Sequence, residues 1–185
     1  MKLNCLPLVL LLFVCSVAQG QITKGNWLAG GNAYYSSTRY NFPDETWTRT
    51  TDLDLLPNLG FFVADHFAVG LKLGYKRYAT TTNHNLVAKD HTYKLGPFLR
   101  YYFFPNDKQI NLLVEGAYQY SVTKTNAITV EVNDFSFAGG PVFYFNSAVG
   151  LELQLRYSTT RYPNHDPLVN NIRLGLGLQV HLKND

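Results

Sequence analysis

Nine charged side chains stand at alternate positions of extended segments in this chain, and alternation places residues on one face of a strand. Six are basic and three acidic: Lys72, Lys76, Lys94, Arg100, Arg156 and Arg173 against Asp54, Glu115 and Glu152. If that face lines an enclosed interior, the charges must pair, because an unpaired buried charge is costly. We therefore predict a polar network that fills the lumen, and the members expected to pair are Glu115, Glu152, Arg100, Arg156 and Arg173. The alternative is a narrow or gated pore in which the excess of basic groups favours anions.

Catalysis is the second chemistry to test against the sequence. A nucleophilic site needs a serine, a histidine and an acid within hydrogen-bond reach. The nearest arrangement is His165-Asp166 with Ser158, and these histidine and aspartate residues lie in a polar segment between strands. We predict no catalytic residue and therefore no enzyme.

Metal, cofactor and nucleic-acid sites are not predicted either. His84 and His91 are seven positions apart with only Asp90 as a supporting acid. No glycine-rich loop of the kind that binds phosphate at the start of a helix is present. The formal net charge of +3 and the absence of a basic stripe do not indicate a nucleic-acid partner.

The first twenty residues are typical of a secretory signal peptide. Lys2 gives the positive start, an apolar run covers 6–14, and small residues follow at Ser16, Ala18 and Gly20. Cleavage after Ala18 or after Gly20 fits this layout. Both cysteines lie in this segment, so the exported domain, predicted to be 21–185, has no disulfide.

The final segment, 172–182, shows the clearest strand pattern. Aliphatic residues alternate with small, polar or charged ones over its whole length. A tilted strand of roughly 9–11 residues crosses a bilayer. We predict that the aliphatic side faces lipid, here and in the preceding segment, through Leu151, Leu153, Leu155, Ile172, Leu174, Leu176, Leu178 and Val180.

Eight such segments follow one another along the chain. Their predicted ranges are 25–36, 52–64, 66–78, 91–104, 108–122, 133–145, 147–158 and 170–183. Short turns at 65–66, 105–107 and 146 alternate with longer polar segments at 37–51, 79–90, 123–132 and 159–169. This alternation is typical of outer-membrane barrels. Pro97 and Pro141 fall inside strands, where we expect β-bulges.

Aromatic residues concentrate towards the ends of the segments, as in the two interfacial girdles of a membrane barrel. The predicted girdle residues are Trp27, Tyr75, Tyr93, Tyr101, Phe103, Tyr118, Tyr120, Phe143, Phe145 and Tyr157. Leu28 and Leu56 depart from the pattern, because they fall on the face predicted to be polar and inward.

With these segments, turns and aromatic ends, the chain resembles the small eight-stranded outer-membrane barrels of the OmpA/OmpX type. The resemblance implies an all-β fold, an eight-stranded antiparallel up-and-down transmembrane β-barrel in the cell outer membrane. It also implies outer-membrane lipid and the barrel-assembly machinery as partners. Members of this family usually end in an aromatic residue, whereas this chain ends Val180-His181-Leu182-Lys183-Asn184-Asp185.

The predicted function is a non-enzymatic structural, adhesion or surface-interaction role, in which the extracellular loops meet an unidentified outside partner. The alternative to the membrane barrel is a secreted or periplasmic lipocalin-like barrel that binds a small apolar ligand. Gly25-Asn26-Trp27 is the feature that suggests it, since lipocalins carry a Gly-x-Trp near the start.

Overall fold

The computed structural model describes residues 22–43, 46–83, 85–105, 108–124, 129–161 and 168–184, and these residues form an all-β fold. Eight strands follow in order: β1 (Trp27–Asn41), β2 (Trp47–Ala64), β3 (Phe67–Thr82), β4 (Asn85–Tyr102), β5 (Ile110–Lys124), β6 (Thr129–Tyr144), β7 (Val149–Arg161) and β8 (Val169–Leu182). Within this part of the chain, no helix is long and apolar enough to cross a membrane. The predicted signal segment 1–20 lies outside the described residues.

Each strand pairs antiparallel with the next, and β8 pairs with β1 to close the barrel. Closure removes the sheet edges that would otherwise leave backbone groups unpaired. The predicted fold, a closed eight-stranded antiparallel up-and-down barrel, is confirmed. The closing seam is the shortest, because β1 and β8 pair only over Trp27–Ala33 and Leu176–Leu182. The other half of β1 pairs only with β2, and the other half of β8 pairs only with β7.

The strands run further than predicted at the end away from the chain termini. The segment predicted as a loop at 37–51 is mostly paired, from Ser37 opposite Thr51 to Asn41 opposite Trp47. The polar segment at 79–90 likewise pairs on to Thr82 opposite Asn85. Most residues of these two segments are polar on both faces, so the two-residue hydrophobic period is absent although threonine favours strands.

The bulges expected at the strand prolines are not there. Pairing between β4 and β5 skips Gly96 and Pro97, and the register is the same on both sides of the gap. Pairing between β6 and β7 skips Gly140 and Pro141 in the same way. The register shifts that the structure does show lie elsewhere in the described strands, in β2 near Phe62–Ala64 and in β3 at Thr80–Thr81.

The glycine before each proline explains why the strand register is the same on both sides of the gap. A Cβ on Gly96 would lie 1.8 Å from the Tyr118 carbonyl oxygen, and a Cβ on Gly140 would lie 1.9 Å from that of Leu153. Proline supplies no N–H to the ladder. The bare glycine instead lets the neighbouring strand approach closely, so the wall continues without an inserted residue.

The two faces of the barrel have opposite character. The outward side chains are mainly aliphatic and aromatic, and Leu176 in the middle of β8 is 57% exposed. The inward side chains include buried Asp, Glu, Lys, Arg, Gln, Asn and Ser residues. This inside-out distribution is typical of a barrel that stands in hydrocarbon and is the reverse of a water-soluble barrel.

Candidate functional site

The lumen holds all nine of the charged residues that the alternation placed on the inner face. Seven are buried: Asp54, Lys72, Lys94, Arg100, Glu115, Glu152 and Arg156. Lys76 and Arg173 are half-buried, further towards the end of the barrel away from the chain termini. The structure brings them together as two ion-pair clusters rather than as one network.

Arg100 on β4 is the centre of the first cluster. Its Nη2 donates to Glu115 Oε2 at 2.6 Å, and its Nη1 donates to Glu152 Oε1 at 2.8 Å. Lys72 on β3 also contacts Glu115 through Nζ and Oε1. Two bases and two acids therefore form a closed set, since each charge has an opposite charge beside it.

Amide side chains complete the surroundings of Glu152. Gln154 Nε2 donates to Glu152 Oε2 at 2.8 Å, and Asn32 Nδ2 donates to the same oxygen at 3.2 Å. Gln179 Nε2 is 3.5 Å from it. Four strands, β1, β4, β7 and β8, thus contribute donors to one buried carboxylate, which satisfies it far from water.

Asp54 on β2 is the centre of the second cluster. Its Oδ2 accepts a hydrogen bond from Lys94 Nζ at 2.9 Å and from Arg173 Nη1 at 3.4 Å. Arg156 Nη1 lies 3.7 Å from the same oxygen. Three basic side chains from β4, β7 and β8 therefore surround one carboxylate.

Two acids that the sequence analysis missed balance those bases. Asp52 lies 2.9 Å from Lys76 and 3.3 Å from Arg173, and Asp134 lies 3.9 Å from Arg156. The signal for Asp52 was its place two residues from Asp54, which puts both on one face of β2. With them the two ion-pair clusters hold six bases and five acids, so the excess of basic groups behind the anion-pore alternative nearly disappears.

The expected pairing within the network was wrong in part. Arg100 does pair with Glu115 and Glu152, whereas Arg156 and Arg173 pair with Asp54 and the two added acids. Sequence reasoning could place these residues on one face. It could not rank their positions along the barrel axis, because that depends on the shear between strands.

An apolar floor closes the lumen at the end where the chain termini lie. Its buried members are Ile22, Leu28, Phe62, Ala68, Phe98, Tyr102, Leu113, Ala117 and Val142. His181, also buried, packs edge-on against Phe62 and Tyr102. The inner face is therefore not uniformly polar, which explains why Leu28 broke the predicted pattern.

Only some of the residues weighed for catalysis or metal binding belong to the part of the chain that the structure describes. His84, His165 and Asp166 lie outside the described residues. Ser158 is buried on the inner face, and His91 Nδ1 lies 2.7 Å from the Tyr75 hydroxyl. Within the described ranges, no cluster of three or more His, Cys, Asp or Glu residues could hold a metal ion.

Comparison with known proteins identifies the family. The model of the outer membrane protein beta-barrel domain matches residues 6–179. The chain belongs to this family. Curated protein sequences give no significant match.

Solved structures of outer-membrane barrels share the fold at low sequence identity. Neisserial surface protein A is 11% identical, with a TM-score of 0.55 and coverage of 85% of this chain and 97% of the other. OprG from Pseudomonas aeruginosa is 10% identical, with a TM-score of 0.54 and coverage of 90% and 100%. The N-terminal barrel domain of OprF from the same species is 15% identical, with a TM-score of 0.50 and coverage of 86% and 98%.

The apolar outer surface agrees with membership of the outer membrane protein beta-barrel domain family. The eight residues predicted to face lipid all point outward, and Leu155, Ile172 and Leu174 are among the most exposed. Leu151, Leu178 and Val180 are half-buried by their neighbours. An outer-membrane barrel places such residues against hydrocarbon.

The ten predicted girdle aromatics also point outward, in two groups at opposite ends of the barrel. Trp27, Tyr101, Phe103, Phe143 and Phe145 lie near the termini and short turns, and Tyr75, Tyr93, Tyr118, Tyr120 and Tyr157 lie towards the other end. Neighbouring rings pack together, as with Tyr75 and Tyr93 at 5.7 Å between centroids. Their position at the membrane interfaces stays a prediction. Phe135, which packs against Tyr118 at 4.9 Å, belongs with them and was not predicted.

Proposed function

We propose that this protein is a non-conducting, non-enzymatic outer-membrane scaffold that displays paired β-hairpins to a partner outside the cell. The observation that carries the proposal is the filled lumen. Arg100 and Glu152 are fully buried, and their hydrogen bonds cross the interior between β4 and β7. Such a cross-link obstructs a continuous water-filled path, which supports a role at the outer surface of the barrel.

The hairpin joining β1 and β2 supports the second part of the proposal. It stays paired beyond the apolar band up to Asn41 and Trp47, which makes it a defined shape and not a loose loop. Tyr40 and Phe42 are 57% and 51% exposed. Exposed aromatics on a supported turn are typical of a contact surface.

The same hairpin holds a cation–aromatic stack. The guanidinium carbon of Arg39 lies 4.7 Å from the centre of the Trp47 ring, and that of Arg49 lies 5.8 Å from it. Such contacts hold long side chains in place at an exposed site. The tip therefore offers aromatic and basic groups together, which suits an acidic or glycan-bearing partner.

Two measurements test this function separately. In planar bilayers, the purified protein is expected to give no steady conductance at any polarity, and reproducible channels would overturn the non-conducting part. For the display role, cells carrying Tyr40→Ser and Phe42→Ser together are expected to lose surface attachment. The matched control carries Tyr35→Ser, an outward change below the hairpin tip, at equal surface abundance. Unchanged attachment of the hairpin variant would overturn the contact surface.

A further inference from the structure

The outward side of each strand changes from apolar to polar at one position near the end of the barrel away from the termini. The first polar residue beyond the apolar run is, in strand order, Ser37, Thr51, Arg77, His91, Lys124, Asn133, Thr159 and Asn170. Five of these positions are uncharged. The three basic ones fall on the consecutive strands β3, β4 and β5.

These three residues are also direct neighbours in the strand register. Arg77 is opposite His91, and His91 is opposite Lys124. We call Arg77, His91 and Lys124 the basic sector. Neighbouring strands are about 5 Å apart, so Arg77 and Lys124 are about 10 Å apart at their backbones, and long side chains can reach one ligand between them. The two cationic groups, Arg77 and Lys124, repel each other, and an anion bound between them would offset that repulsion.

Few acidic groups near the basic sector can neutralise its positive charges. Among the described residues, the side chains of Arg77 and Lys124 make no ion pair or hydrogen bond. Two acids lie close by. Asp90 precedes His91 on β4 but alternates onto the inner face, and Glu131 lies diagonally from Lys124 on β6.

Aromatic residues fix the level of the sector relative to the bilayer. Tyr75 and Tyr93, paired with each other, come one outward position before Arg77 and His91. The Tyr75 hydroxyl lies 2.7 Å from His91 Nδ1, which orients the imidazole. Tyrosine rings are enriched at headgroup level, so the basic sector stands where lipid phosphates are found.

We propose that the basic sector binds the phosphate groups of anionic lipids in the leaflet at this end of the barrel. The occupant is a membrane lipid, because the sector opens sideways above an apolar band and not into the lumen. The neighbouring acyl chains would lie along the outward faces of β3–β5, where Leu73 and Leu95 are more than half exposed. The remaining strands, with uncharged boundary residues, would bind no lipid preferentially.

Native mass spectrometry of the detergent-purified protein tests the proposal. Phosphatidylglycerol is added, with phosphatidylcholine of the same acyl chains as the reference. The wild-type protein is expected to retain phosphatidylglycerol preferentially. Arg77→Gln with Lys124→Gln is expected to weaken that binding about 30-fold, and each single substitution about fivefold, from the usual contribution of a basic residue near an anionic lipid surface.

A control variant separates the sector from overall charge. Arg49→Gln with Arg161→Gln removes the same charge at the same end, from two exposed residues on the non-adjacent strands β2 and β7. It is expected to bind phosphatidylglycerol nearly as well as the wild type does, because two residues three strands apart cannot bind one phosphate together. Equal losses in both double variants, or no wild-type preference for phosphatidylglycerol, would overturn the proposal. Unboiled gel migration checks that every variant is folded.

Inorganic phosphate distinguishes a lipid site from a site for soluble anions. At millimolar concentration it is expected to leave bound phosphatidylglycerol in place, because the acyl chains add to the affinity. Complete displacement of phosphatidylglycerol by phosphate would show that the basic sector binds soluble anions, and would overturn the proposal of a lipid site. Neither result depends on the hairpin display role, since the sector lies on the wall below the hairpin tips.

Discussion

Arg100 and Glu115 are direct cross-strand partners on β4 and β5, and the guanidinium uses two of its nitrogens on one carboxylate oxygen. Nε lies 3.1 Å and Nη2 lies 2.6 Å from Glu115 Oε2. Paired contacts of this kind fix the plane of the guanidinium. Nη1 is thereby left pointing across the lumen, 2.8 Å from Glu152 on β7. One side chain thus links two walls of the barrel.

Removing this link is expected to destabilise the barrel strongly. Arg100→Met leaves Glu152 buried without its ion-pair partner, and breaking a buried pair from one side typically costs about 3–5 kcal/mol. The free energy of unfolding in lipid vesicles, from urea titration followed by tryptophan fluorescence, measures the loss.

The control for this prediction removes the orphaned acid as well. Arg100→Met with Glu152→Gln is expected to recover part of the stability, because Glu115 still contacts Lys72. If the double variant is as unstable as the sum of the two single variants, Arg100 and Glu152 are not coupled across the lumen.

Leu176 tests which face meets lipid. It points outward in the middle of β8, opposite Ala33 of β1 and Leu153 of β7. Leu176→Arg is expected to reduce the free energy of unfolding in bilayers by about 2–4 kcal/mol. Asn170→Arg is the matched control beyond the apolar band, where the same change costs about 0–1 kcal/mol. Equal stability of the two variants would contradict the assignment of the faces.

Gly96 tests the close approach that preserves the register beside Pro97. An added Cβ would meet the Tyr118 backbone carbonyl at 1.8 Å, and a backbone atom cannot turn aside. Gly96→Ala is expected to destabilise the barrel by about 1–3 kcal/mol, as overpacking does. Gly116→Ala, whose Cβ would find its nearest neighbour at 3.7 Å, is expected to change stability by about 0.5 kcal/mol or less. The free energies of unfolding of both variants, from chemical denaturation in the same lipid, test this prediction, and equal values would contradict it.

The short closing seam predicts an uneven pattern of hydrogen exchange. Residues 34–41 of β1 and 169–175 of β8 pair on one side only, whereas β3 pairs on both sides along nearly its full length. Amides in the outer halves of β1 and β8 are therefore expected to exchange faster than those of β3. Exchange measured by mass spectrometry on the reconstituted barrel checks this, and uniform protection of all eight strands would contradict it.

The strands of the barrel could be predicted from the sequence better than the pairing of the side chains inside the lumen. Alternation and turn spacing were enough for eight strands and their faces, because period two is a local property. The pairing of Arg156 with Asp54, on strands β7 and β2, arises only when the sheet closes. The extent of the outer hairpins was missed for another reason, since segments such as 48–51 are polar on both faces and carry no hydrophobic period.

The two ends of the described chain meet. The Asn184 amide nitrogen lies 3.3 Å from the Asn26 side-chain oxygen, beside the seam that joins β8 to β1. In a closed ring of strands, each held by its two neighbours, the point at which the polypeptide begins is geometrically arbitrary. A circular permutant that joins the two ends and opens at the β1–β2 hairpin would therefore build the same wall, with its new termini on the opposite side of the membrane.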